Sequence, residues 1–260
     1  MSGTHVERTD GTVRKVQLTP LWSVAGGLAG LAVVAWFDVL SAAGWLAGLV
    51  YLVVSNALLT RGLRRRGAMR FGPANVATSV RSTLVGIITA LVATSFTDPV
   101  SVPLLVGLTV PALALDAVDG WIARRTGTVS ELGARFDMEV DAFLILVLGA
   151  FVAPDLGWWT LTLGLMRYAY VVAGWALPWL RITVPPRYWR KVVAAATGIS
   201  LAFAASGLAP QWVGAAAILV CLGLLVESFG RDVVWQFRQR HAEFVVVPRR
   251  TESAAEPYQG

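Results

Sequence analysis

The 260-residue chain has a single cysteine, Cys221, so it can form no internal disulfide and no cysteine-based metal cluster. Its two histidines, His5 and His241, both sit in polar tails. That leaves almost no raw material for a zinc site or for a Ser-His or Cys-His nucleophile. Charge is scarce as well, with 15% of positions Asp, Glu, Lys or Arg, against roughly 25% in a soluble domain. What fills the space is apolar: 56% of residues are hydrophobic, and 25 Gly and 11 Trp accompany them. Gly is tolerated in membrane helices and Trp gathers at their interfaces. The composition excludes an ordinary soluble domain and indicates a polytopic, all-α membrane protein.

Crossing a bilayer takes roughly 20 apolar residues, and eight runs approach or meet that length: 20–37, 39–59, 80–96, 103–119, 140–153, 157–180, 190–208 and 213–229. Asp38, residues 97–99 and the Pro154-Asp155 pair break the runs where tight hairpins are expected. The first 20 residues mix Glu7, Arg8, Asp10, Arg14 and Lys15. With no compact basic start and no small-residue cleavage site, they predict a polar tail that is kept.

The net charge of +6 and a pI near 10.1 suit nucleic acid, headgroups or topology, and position decides among these. When alternate loops are assigned to one side, 21 of the 22 Lys and Arg fall there, Arg167 inside a run being the exception. The opposite loops hold only Asp38, Asp98 and Asp155. Basic loops stay cytoplasmic, so a multi-pass cell-membrane protein with both termini in the cytosol is expected, and nucleic acid is not a partner. The stretch from Arg61 through Arg64, Arg65 and Arg66 to Arg70 would lie along the cytosolic surface. It reads either as an attraction to anionic lipid headgroups of about 1 kcal/mol per side chain or as a plain stop signal.

Six of the sixteen acidic residues crowd between positions 116 and 141: Asp116, Asp119, Glu131, Asp137, Glu139 and Asp141. Acidic groups at the edge of the hydrocarbon are costly and by default mark a functional site. Counted from Asp116, Asp119, Gly120, Ala123 and Arg124 share one face of a helix, and Gly133, Asp137 and Asp141 share another. If the two stripes face each other, four carboxylates converge, and cations must hold them together. Oxygen ligands without His or Cys favour hard ions, so Mg2+ or Mn2+ is the natural choice. The glycines leave room for a ligand near the backbone, and Arg124 offers a fork for phosphate. Together these features describe a metal-assisted phosphoryl-transfer site.

The pattern Asp116-x2-Asp119-Gly120-x2-Ala123-Arg124-x8-Gly133-x3-Asp137-x3-Asp141 resembles the signature of the CDP-alcohol phosphotransferases, with all eight fixed positions and their spacings intact. The resemblance runs from about Phe71 to about Phe229 and implies that family's six-helix core, leaving the first two spans as an N-terminal addition. It divides the chain into a tail at 1–19, a transmembrane hairpin at 20–59 and a basic juxtamembrane segment at 60–79. A catalytic transmembrane domain at 80–230 and a tail at 231–260 complete it. The resemblance implies a CDP-linked lipid donor, very often CDP-diacylglycerol, release of CMP, and a place in phospholipid biosynthesis. Carried over by position, Asp116, Asp119 and Asp137 would hold metal, and Asp141 would be general base and touch a second metal. Gly120, Ala123, Arg124 and Gly133 would line the CDP pocket. Membrane lipids and a second copy of the chain, as a homodimer, complete the expected partners.

Upstream, Asn75, Thr78 and Arg81 recur at helical spacing and resemble the Asn-x2-Thr-x2-Arg element that precedes the family motif. They read as CDP-binding (Asn75, Thr78) and acceptor-binding (Arg81) residues beside a phosphate-friendly helix N-terminus, or as capping residues followed by a boundary Arg. Arg167 within a span calls for an anionic partner or a water-filled cavity. An acceptor phosphate, or a salt bridge, would satisfy it. Arg190 and Lys191 read as acceptor contacts or as ordinary cytosolic charges. Family members that make phosphatidylglycerol phosphate or phosphatidylinositol phosphate usually carry a basic residue after the last aspartate, whereas here it is Ala142. Arg167, Arg190 and Lys191 still point toward a polar, phosphorylated alcohol.

The alternative from another class is a cation-coupled transporter using the aspartates as its ion site, although such sites sit at the midplane of repeated halves and no repeat is visible. Gly26-x3-Gly30 and Gly44-x3-Gly48 have close-packing spacing and predict helix contacts within the N-terminal hairpin. Pro111 predicts a kink ahead of Asp116. Trp22, Trp45, Trp158, Trp159 and Trp179 predict interface anchors, and Glu227 a boundary residue.

Overall fold

A computed structural model of the chain describes residues 10–66, 73–126, 131–182, 184 and 188–242. Among these residues there are eight α-helices and no strand. They are α1 (Asp10–Phe37), α2 (Ala42–Arg66), α3 (Pro73–Thr94), α4 (Val102–Thr126), α5 (Glu131–Leu156), α6 (Thr162–Ala176), α7 (Tyr188–Ala205) and α8 (Gln211–Ala242), with 3-10 turns at Trp158–Leu161 and Pro178–Arg181. Each of the eight apolar runs has its main part on a separate helix, as expected where lipid forces backbone groups to pair within their own segment.

The breaks follow local chemistry. α3 opens at Pro73, a position where the missing N–H costs nothing. Between α1 and α2, the Asp38 carboxylate accepts hydrogen bonds from Val39 N (3.0 Å) and from Ser101 N (2.8 Å), tying that turn to the start of α4. α5 does not stop at Pro154. It runs on to Leu156 and turns at Gly157, whose φ of +102° side chains rarely adopt. The sixth run is cut short because Leu177 precedes Pro178 and is held extended (φ −120°, ψ 91°). α4 passes unbroken through Pro111. α2 carries the basic stretch onward as helix to Arg66, and residues 67–70 lie outside the described residues.

α3 is the hub, packed against α1, α2, α4 and α5, while α5 also meets α6 and α7. Val85, Ile88 and Leu91 of α3, Leu105 of α4, Leu144 and Leu148 of α5, and Leu201 of α7 fill the centre. Outside, Trp36, Phe37, Val172, Trp175 and Val220 are exposed, an apolar girdle that water would not tolerate but lipid does. Ala42–Arg61 and Gln211–Arg240 are long and apolar enough to cross a membrane, with shorter apolar stretches at Val24–Phe37, Thr78–Thr94 and Val102–Asp116. This is a membrane protein.

The glycine stripes work differently from the expectation. In lipid, helices associate through close packing rather than hydrophobic drive. A Cβ at Gly44 would land on Thr94 Oγ1 and one at Gly48 would sit 3.0 Å from Ala90 Cβ, both on α3. At Gly30 it would lie 2.6 Å from Ile87 Cδ1, again on α3, and at Gly26 it would meet nothing within 4 Å. The stripes mainly dock the hairpin onto α3 instead of holding α1 to α2. Thr94 Oγ1 reinforces the joint, donating to Ala90 O (2.9 Å) and accepting from Ser41 N (3.2 Å).

Candidate active site

Arg81, in the third turn of α3, is fully buried. An arginine in that position is costly unless carboxylates surround it, and three do. Its Nη1 donates to Asp116 Oδ1 of α4 (2.5 Å), its Nη2 donates to Asp137 Oδ1 of α5, and Nη1 lies 3.4 Å from Asp141 Oδ1. α4 and α5 thus turn their acidic stripes toward one another, with α3 inserted between them. Oxygens of Asp116, Asp137 and Asp141 all lie within 4.8 Å of one another.

One guanidinium and three carboxylates meet there in a half-buried setting. The donor set is all oxygen, with carboxylate atoms close enough to share one ion, which suits a hard divalent cation such as Mg2+ or Mn2+. Asp116, Asp137 and Asp141 are the described residues able to hold it.

The other expected residues fall as follows. Asp119, Gly120, Ala123 and Arg124 are on α4 and Asn75 is on the first turn of α3, but their side chains lie outside the described residues. Thr78 is buried one turn before Arg81, and Gly133 is half-buried in the first turn of α5. Arg81, expected at an acceptor, lies in the interior among the carboxylates. Arg167 on α6 pairs with Glu139 through Nη2, so a carboxylate supplies its anionic partner. Lys191 is exposed on α7 and close enough to Asp137 for mutual attraction. Ala142 is buried on α5.

Arg190 has a partner that sequence reasoning missed. Its Nε lies 3.3 Å from Oδ2 of Asp232, an α8 residue only 2% exposed. One turn on, buried Gln236 accepts from Tyr170 OH (2.6 Å) and donates to the carbonyls of Leu180 (2.9 Å) and Ile182 (2.6 Å). This network joins α6, α7, α8 and the Pro178–Arg181 turn. Its available signal was the i, i+4 pair Asp232 and Gln236. The expected division put that pair in a tail, whereas α8 continues through it to Ala242.

Glu227 pairs with Arg231 one turn along α8. A family model described as CDP-alcohol phosphatidyltransferase matches residues 71–226, a segment that contains Arg81 and every aspartate of the cluster. No curated protein and no solved structure matches the chain.

Proposed function

The chain belongs to the CDP-alcohol phosphatidyltransferase family, and from that premise we propose that it transfers a phosphatidyl group from CDP-diacylglycerol to the hydroxyl of a polar, phosphorylated alcohol. The observation that carries this reading is the convergence of Asp116, Asp137 and Asp141 on buried Arg81, within the matched segment. In this reading the protein is multi-pass, with the six helices from α3 to α8 as the catalytic unit and α1 and α2 added before it. Its basic loops and the aspartate cluster face the cytosol.

The reaction exchanges one phosphoester for another. The acceptor oxygen attacks the phosphorus that carries the diacylglycerol, a new P–O bond forms there, the P–O bond to CMP breaks, and the acceptor proton goes to an Asp141 oxygen. A hydroxyl is a weak nucleophile until a positioned base takes that proton. Asp141 suits the role because it stands at the end of the stripe, farther from the Arg81 guanidinium than Asp116 does. Asp116, Asp137 and Asp119 would hold Mg2+ or Mn2+, which when bound supplies positive charge for the diphosphate and the departing CMP. Arg81 keeps the three carboxylates at one place despite their mutual repulsion. Gly120, Ala123, Arg124, Gly133, Asn75 and Thr78 are proposed for the CDP moiety, and Arg190 and Lys191 for the acceptor phosphate. Arg167 is proposed there too, through the part of its guanidinium that Glu139 does not engage.

The test is Mg2+-dependent CMP release from CDP-diacylglycerol by the purified protein, with a panel of free and phosphorylated alcohols and with the lipid product identified. Release with glycerol phosphate or inositol phosphate, and none with the unphosphorylated alcohols, is the expected result. Solute uptake with no CMP formed under any acceptor would replace this reading with the transporter.

A further inference from the structure

The N-terminal hairpin lies outside the matched segment, yet it reaches the helices that carry the site. The ring of Tyr51, in the middle of α2, stacks on Phe143 of α5 with centroids 4.7 Å apart and planes at 24°. Its hydroxyl lies 3.4 Å from Ser82 Oγ on α3. Ser82 follows Arg81 in sequence, and Phe143 stands two residues after Asp141. The hydroxyl is near enough to both Arg81 and Asp141 to feel their charges. Gly86 makes the seat: a Cβ there would stand 3.1 Å from Tyr51 Cδ1 and 3.0 Å from Leu52 Cδ2. One turn further along α2, Ser55, Asn56 and Leu59 line a narrow crevice with Ser79 and Ser82 of α3 and Phe136 of α5.

We infer that the hairpin is a working part of the active site, with Tyr51 as the positioning residue that fixes α3 against α5 so that Arg81 and Asp141 meet. One ring touches both helices. It makes an apolar contact on α5, which sets rotation about that helix axis, and a polar contact on α3, which sets height along it. A simple membrane anchor would need neither, because any apolar side chain fills lipid-facing space equally well. The Gly44 and Gly48 contacts with Ala90 and Thr94 hold α2 close enough for the ring to reach. Misplacing reacting groups by about 1 Å costs up to about a hundredfold in rate, so the geometry that this ring sets is enough to govern turnover.

This inference rests on the transferase reading, and the experiment separates the two. Full-length wild type, Tyr51→Leu, Tyr51→Phe and, as a lipid-facing control on the same hairpin, Trp36→Ala are compared in detergent. For each, kcat, KM for CDP-diacylglycerol, Mg2+ affinity by titration calorimetry and Tm are measured. The expected result is a kcat for Tyr51→Leu reduced about ten- to a hundredfold, weakened Mg2+ binding and a nearly unchanged KM. Tyr51→Phe, which keeps the stack on Phe143 but loses the contact with Ser82, should fall between Tyr51→Leu and wild type in both, and Trp36→Ala should match wild type. If Tyr51→Leu does not accumulate, Phe143→Leu removes the same stack from α5 and carries the same expectation. Wild-type kcat and Mg2+ affinity in Tyr51→Leu, even with a lowered Tm, would overturn the inference and reduce the hairpin to packing. If wild type itself released no CMP, the transferase reading would fail, and the Mg2+ titration alone would decide whether Tyr51 positions the carboxylates.

Discussion

Two buried ion-paired groups hold this bundle together, and they follow opposite rules. Around Arg81, one guanidinium meets three carboxylates from two other helices. Around Arg190, one guanidinium meets one carboxylate, Asp232, with Gln236 and Tyr170 completing a neutral hydrogen-bonded set beside it. Removing a charge from water costs several kcal/mol unless partners compensate for it. The Arg190 group pairs one cation with one anion and ties α7 to α8. The Arg81 group gathers three carboxylate oxygens close enough to share a divalent cation. The clustering of oxygens, absent around Asp232 among the described residues, is what distinguishes the two groups.

The comparison can be broken most directly at Asp137. Asp137→Asn should remove a metal-holding oxygen and several kcal/mol of transition-state stabilisation, about a thousandfold or more in CMP release, while circular dichroism stays that of the wild type. A variant within tenfold of wild type would place the site elsewhere. Arg81→Ala comes next. It leaves three carboxylates without their resident cation, so the metal-free protein should lose about 3 kcal/mol or more of stability. Mg2+ should restore more Tm to this variant than it adds to wild type, by ligand linkage. A thermal-shift series in EDTA and in Mg2+ reads both, and equal gains would contradict a cation site shared by these carboxylates.

Asp232→Asn sharpens the contrast from the other side. It should cost about 1–3 kcal/mol and leave the Mg2+ concentration for half-maximal activity unmoved, because Asp232 lies outside the aspartate cluster. A shifted Mg2+ requirement would join the two groups into one site. Glu227→Gln should be the mildest change. Its pair with Arg231 is exposed, and loss of an exposed pair is worth at most about 1 kcal/mol, visible as little or no change in Tm.

The helices were legible because a long run of Leu, Val and Ala has few backbone options in lipid, and the aspartate stripes because helical spacing fixes which carboxylates share a face. The partner of Arg81 was not legible. Spacing puts it on a helix face, but only the insertion of α3 between α4 and α5 brings it to Asp116, Asp137 and Asp141. Asp232 escaped notice for a related reason: a lone acid among Arg231 and Arg238 looks like a solvated tail until α7 folds Arg190 over it. The hairpin glycines carried a packing signal without an address. Gly44 and Gly48 proclaim a close neighbour, and nothing local says that it is α3 and not α1.

The central claim is that the carboxylates on α4 and α5 form a catalytic centre for phosphatidyl transfer. Single-turnover CMP release from CDP-diacylglycerol with Mg2+, measured for wild type beside Asp141→Asn, tests it most directly. The account predicts rapid CMP formation by wild type and a rate lower by about 10²–10⁴ for the variant, the usual contribution of a general base. CMP formation at the wild-type rate in Asp141→Asn would contradict it.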